Sequence, residues 1–165
     1  MAGNTFNSTV TVVAVLILLA ALPSAVRDTF ETGRVYLFSR QFIEELPDRF
    51  TGPGRLRFIV QPLMAILIGC RGGLSDARRG GPAYVYGLLT DRENRRELLR
   101  SGMAAIRNLV AIGVILDAVA QLLIYRQVHP GAALVLGPVL ISVPYALSRA
   151  VTNRLVRLMR RASAR

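Results

Sequence analysis

The 165-residue sequence contains no lysine and no tryptophan, one cysteine, one histidine and ten acidic residues. Each shortage closes a class of explanation. A single thiol, Cys70, excludes an internal disulfide and any zinc site built from thiolates. A single imidazole, His129, excludes a His-rich metal centre or a haem held by two histidines. Neither G-x-x-x-x-G-K-[ST] nor G-x-G-x-x-G occurs, so the backbone lacks the known cradles for a nucleotide phosphate. The few serines have no His–Asp company in the apolar runs, which argues against a hydrolase triad. The expectation is a protein without a cofactor and without enzymatic chemistry.

The residues that are abundant point elsewhere. All 21 basic side chains are arginine, the formal net charge is +11, and yet 52% of residues are hydrophobic and the mean hydropathy is +0.41. Both values can be high only if apolar and charged residues are segregated along the chain. Disorder, collagen-like repetition and a disulfide scaffold are excluded by this composition. It fits a small, basic, all-α polytopic membrane protein. Two Arg-Gly-Gly triplets, at 71–73 and 79–81, stand between long apolar runs. RGG segments bind RNA as disordered arrays with interleaved aromatics, so nucleic acid is not an expected partner.

The apolar runs define a single membrane domain over residues 1–165. Val10 to Val26 is 17 residues without charge, and Met1 to Thr9 lacks the basic residues of a signal peptide, so a retained transmembrane helix is expected. Arg27 to Arg57 follows with six arginines and five carboxylates. Within it Val35, Phe38, Phe42 and Leu46 recur at helical spacing, opposite Arg34, Arg40, Gln41, Glu44 and Glu45. This is an amphipathic helix, with Asp28 and Glu31 as a capping pattern at its start and Pro47 at its end. It would lie either at the headgroup boundary or against its own bundle.

Phe58 to Cys70 is apolar for only 13 residues, contains Gln61 and Pro62, and has arginine at both ends. That length and those flanks predict a short re-entrant or interfacial helix. Residues 71–82 read as a Gly- and Arg-rich loop or broken helix, and Tyr84 and Tyr86 suit the membrane interface. Thr90 and Glu93 form a capping box that predicts one helix running to about Gln127, about 55 Å long at 1.5 Å per residue. Its span is placed at 108–125. His129-Pro130-Gly131 predicts a tight turn, and 131–147 a last span, kinked or unwound at its prolines. Residues 148–165 form a basic amphipathic tail.

Arginine sets the orientation, because cytoplasmic flanks carry the excess of basic residues. If 58–70 does not cross, three helices span, the N-terminus is outside, and 20 arginines lie inside against one outside. If it does cross, four helices span and the division is 14 to seven. The first, cleaner division is the expectation, with the C-terminus cytoplasmic and four spans as the alternative.

Asp117 is the residue that demands an explanation, since a charged aspartate at the centre of a span costs roughly 3 kcal/mol. Gly113, Asp117 and Gln121 are four apart and share a helix face, a mixture of small and polar residues that marks a helix–helix contact. Asp117 would be protonated and donate to a carbonyl freed by Pro138, or be ionised and paired with an arginine of this chain or of a partner, or carry protons or ions. Gln61 is the second intramembrane polar residue; it would bond a neighbouring helix or line a site shared with Asp117. Arg71, Arg78, Arg79, Arg154, Arg157, Arg160 and Arg161 are the expected contacts to anionic lipid headgroups.

The stretch from Arg57 to Arg79, with Tyr86-Gly87-Leu88-Leu89 and Arg95-Arg96-Glu97-Leu98-Leu99-Arg100 after it, resembles a group of small bacterial membrane proteins. In that group the pattern leads into a helix with a central aspartate, matched here by Asp117. The resemblance covers about 57–145, with Cys70, Gly72 and Gly73 as departures. It implies a bacterial inner-membrane protein and brings no established activity. The leading expectation is a structural or accessory subunit in contact with lipid, anionic lipid and other membrane chains or copies of itself. The alternative is a small transport or proton-conducting component that uses Asp117.

Overall fold

A computed structural model describes residues 2–33 and 36–163, with side chains from residue 8 onward except Thr32. The described residues form helices and no strand. In chain order they are α1 (Ala2–Thr32), α2 (Arg40–Glu44), α3 (Leu46–Thr51), α4 (Arg57–Arg78), α5 (Tyr84–Thr90), α6 (Arg95–Tyr125) and α7 (Pro130–Ser163), with one 3₁₀ turn at Tyr36–Phe38. Among the described residues four stretches are long and apolar enough to cross a membrane: Ser8–Glu31, Arg57–Arg78, Arg95–Tyr125 and Pro130–Ser163. The protein is an all-α polytopic membrane protein, and this count is that of the four-span alternative.

Several local expectations change. The capping pattern at Asp28 is interior to α1, which Gly33 closes; this glycine takes φ +66° and its N–H bonds Thr29 O at 2.9 Å. That left-handed closure is one only glycine adopts cheaply. The amphipathic stretch is a 3₁₀ turn and two short helices, with Ser39 capping α2 through the Phe42 N–H at 3.3 Å. Pro47 does not end a helix; it occupies the first turn of α3, where no amide donor is required. Val35 and Arg34 lie outside the described residues.

The run 58–70 is not a short isolated segment. It belongs to the 22-residue α4, and 71–78 is helix rather than loop. Helix α4 stops where Gly80 takes φ +75°, with Gly81 N–H bonded to Asp76 O (3.0 Å) and Gly80 N–H to Ala77 O (3.4 Å), a Schellman closure. Thr90 does not cap a long helix. Its hydroxyl donates to Tyr86 O at the end of α5, and Asp91 accepts the Asn94 N–H (3.1 Å) to lead into α6. The expected single helix from 90 to 127 is therefore split. Pro130 and Gly131 open α7 instead of forming a separate turn, with His129 O accepting from Ala132 N–H at 3.1 Å, and the helix continues through Pro138 and Pro144.

The chain forms two compact units, one of residues 1–59 and 108–139, the other of residues 60–107 and 140–165. In the first, Gly137 of α7 packs so closely on α6 that a Cβ there would lie 3.0 Å from the Gly113 carbonyl carbon. In the second, Ala65, Gly69, Gly73 and Ala77 form a buried row of small residues along α4. A Cβ on Gly69 would lie 2.5 Å from Tyr145 O, and one on Gly73 2.3 Å from Arg149 O. Small residues at four-residue spacing let two backbones approach in a medium where apolar contact alone gives little preference.

Candidate functional site

In the first unit Gly113, Asp117 and Gln121 are all buried on α6. Asp117 is 1% exposed and ion-paired with two arginines: Arg57 Nη2 lies 2.8 Å and Arg49 Nη1 3.6 Å from the same oxygen, Oδ1. The other oxygen, Oδ2, accepts from Gln121 Nε2 at 2.6 Å. Gln121 Oε1 in turn accepts the His129 backbone N–H at 2.8 Å, tying the α6 face to the start of α7. Arg57 also donates to Leu116 O (3.1 Å) and stands over the Phe58 ring, 4.8 Å from its centroid. Oδ2 is hydrogen-bonded and Oδ1 is ion-paired without accepting a hydrogen bond, and of the three readings of Asp117 the geometry is that of an ion pair within the chain. The carbonyl freed by Pro138 is not its partner.

Arg49 carries the cluster outward. It is fully buried, its Nη2 donates to the Tyr36 hydroxyl at 3.0 Å, and that hydroxyl donates to Glu45. Gln41 holds the other oxygen of Glu45 at 2.7 Å, and the Tyr125 hydroxyl donates to the Glu45 carbonyl at 2.9 Å. Two buried arginines thus meet one carboxylate directly, Asp117, and Arg49 reaches a second, Glu45, only through the Tyr36 hydroxyl. Burial, and then its hydrogen bond to Glu45, pushes the Tyr36 hydroxyl well above the ordinary tyrosine range, so it stays a donor. Its ring stacks on His129 with centroids 3.6 Å apart and planes 14° apart. Burial lowers His129 below its ordinary value near 6.5, outweighing the Asp28 carboxylate 3.7 Å away, so the ring is neutral at pH 7.

The second unit holds a different centre. Arg149 of α7 grips Asp76 of α4 with two nitrogens, Nε to Oδ2 at 2.7 Å and Nη2 to Oδ1 at 3.0 Å. Its Nη1 donates to the Tyr145 hydroxyl at 2.7 Å, and the guanidinium lies 4.3 Å from the centroid of Tyr84. Ser101 of α6 adds weaker contacts at 3.4 and 3.5 Å. Tyr84 is raised above the usual tyrosine value, first by burial and then by Tyr145.

Gln61 belongs to this second unit. It is buried, and neither of its side-chain polar atoms has a hydrogen-bond partner, so the expected bond to a neighbouring helix is not made. Arg71, Arg78, Arg79, Arg154, Arg160 and Arg161 are exposed, while Arg157 is half-buried and donates to Gly81 O at 3.3 Å. In the sequence Arg49, Arg57 and Arg149 stand only as charges flanking spans. The available signal was the excess of arginine beside a lone intramembrane acid, which requires a cation from somewhere. Asp76 and Tyr36 carry no signal in the sequence pattern, and Glu45 stands there only on the polar face of the 35–46 stretch.

Among the described residues no three His, Cys, Asp or Glu side chains are grouped to hold a metal ion. No family model, curated protein or solved structure matches the chain.

Proposed function

We propose that the protein is a structural or accessory subunit of the bacterial inner membrane, bound to lipid and to other membrane chains, and that Asp117 serves as an internal counter-ion rather than a proton carrier. The observation that carries this reading is the commitment of both Asp117 oxygens to Arg57, Arg49 and Gln121. Its negative charge lies against two arginines that would otherwise be buried with no carboxylate in contact, a role that favours the ionised form over proton shuttling. Helix α1 supports the partner-binding half. Its span has mean hydropathy 2.5, yet only 6% of it is buried within the chain, leaving Val12, Leu16, Leu19 and Leu22 for lipid or for another helix.

The topology that goes with this reading has four crossings and both termini cytoplasmic. Segment 27–57 packs on the α6–α7 turn through Tyr36 on His129 and Tyr125 on Glu45, which favours one side for both. The arginine count then costs less than it first suggests. Of the seven arginines outside, Arg49 and Arg57 are buried and paired, so they are not free to hold a loop at the cytoplasmic surface. With Cys70→Ser, an Arg40→Cys substitution at an exposed site should react with an impermeant thiol reagent in intact cells; protection there while lysed cells react would restore the three-span arrangement. Purified protein in liposomes should conduct no more protons than empty vesicles. A flux above that level would replace this reading with the proton-conducting one.

A further inference from the structure

We infer that the cleft between α5 and α7 binds one anionic phospholipid, its phosphate held by Arg154, Arg157 and Arg161 and one acyl chain laid along Leu147, Ala150 and Val151. Two adjoining cavities make the cleft. One, of about 390 Å³, is lined by these three arginines with Tyr86 and Asn153. The other, of about 300 Å³, is walled by Leu147, Ala150 and Val151 of α7 and by Val85 and Leu89 of α5. They share Ala83, Tyr86 and Arg154, so the greasy part opens directly into the cationic part. No acidic side chain lines either one.

The sequence of α7 explains the arrangement. Residues 147, 150, 151, 154, 157, 158 and 161 recur every three or four positions and therefore share a helix face. Along that face apolar residues give way to arginine, the order a phospholipid presents from tail to head. Guanidinium groups match phosphate oxygens with paired N–H donors. A soluble phosphate would use only half of the cleft; an amphiphile with an anionic head uses both. Asn153 adds a second, independent indication. It is fully buried, its Nδ2 donates to Gly81 O at 3.3 Å, and its Oδ1 has no hydrogen-bond partner although the residue lines the cationic cavity. Three arginines with no acid among them favour an anionic head over a zwitterionic one.

This deepens the lipid contact proposed above into one stoichiometric site, and the test separates the two. The full chain, purified in a non-ionic detergent, is titrated with phosphatidylglycerol, phosphatidylcholine or inorganic phosphate and the bound species counted by native mass spectrometry. One phosphatidylglycerol should bind about tenfold or more tightly than phosphatidylcholine, and inorganic phosphate should not displace it. The double variant R154Q/R161Q should lose that preference, whereas R100Q/R160Q, which removes equal charge away from the cleft, should keep it. Ala150→Trp, which fills the apolar half without altering charge, should also weaken binding. Equal affinity for the two lipids, equal loss in both double variants, or displacement by phosphate would overturn the site. If the chain still sediments with bilayers in that case, only the cleft is rejected; if it does not, the membrane reading falls with it.

Discussion

Asp117 in the first unit meets two guanidinium groups through one oxygen, whereas Asp76 in the second meets one guanidinium through both. The second arrangement is the planar, paired match that arginine and carboxylate favour, and it is finished by Tyr145 and by the face of Tyr84. The first is more deeply buried and less well paired. The Nε atoms of Arg49 and Arg57 are buried without hydrogen-bond partners, and the 2.8 Å approach of Arg57 to Asp117 is off the hydrogen-bonding direction. The Asp76 centre can lose a partner and let water in at its partly exposed carboxylate. The Asp117 centre has no such outlet, so its members depend on one another.

That difference ranks the consequences of breaking each centre. Asp117→Asn should be the most damaging change. It leaves two buried guanidinium groups short of a counter-ion and should cost about 3–5 kcal/mol of stability, read as a lowered unfolding midpoint in detergent. Arg149→Met should cost less, about 2 kcal/mol, because Asp76 can be solvated once released; if it cost as much as Asp117→Asn, the contrast between the centres would be false. Tyr36→Phe removes the hydroxyl between Arg49 and Glu45 and should cost about 1–2 kcal/mol, with the His129 stack retained.

A pH titration sharpens the contrast further, because only the first centre borders a histidine. The folded state lowers His129, so it favours the neutral ring. The stability this gives is fully present above the ordinary value near 6.5 and is lost as pH falls through the lower folded value. Thermal midpoints should therefore drop on acidification below about 6.5, and His129→Gln should flatten that part of the curve. An unchanged pH profile in the variant would remove His129 from the account.

The fold class was legible because membrane helices announce themselves by uninterrupted apolar length. The Gly113–Asp117–Gln121 face was legible for a related reason: polar residues four apart in an apolar run have one physical use. Helix α4 runs further than its sequence suggests because Gly72, Gly73 and Arg71 look like punctuation in water. On α4 the glycines Gly69 and Gly73 are the places where α7 comes close, and the helix carries on beneath them. The partners of Asp117 stayed hidden because nothing local ties Arg49 and Arg57 to a residue 60 or more positions later. Only tertiary packing joins them. Likewise Thr90 satisfies the spacing of a capping box, yet its hydroxyl bonds backward to Tyr86 O, a local alternative that threonine always has.

The central claim is that Asp117 and Arg57 stabilise the chain as a pair. A double-mutant cycle with Arg57→Gln and Asp117→Asn, followed by chemical unfolding in detergent, measures that directly. The account predicts that the double variant is more stable than the summed single losses imply, by at least about 1 kcal/mol. Losses that add to within a few tenths of a kcal/mol would contradict it.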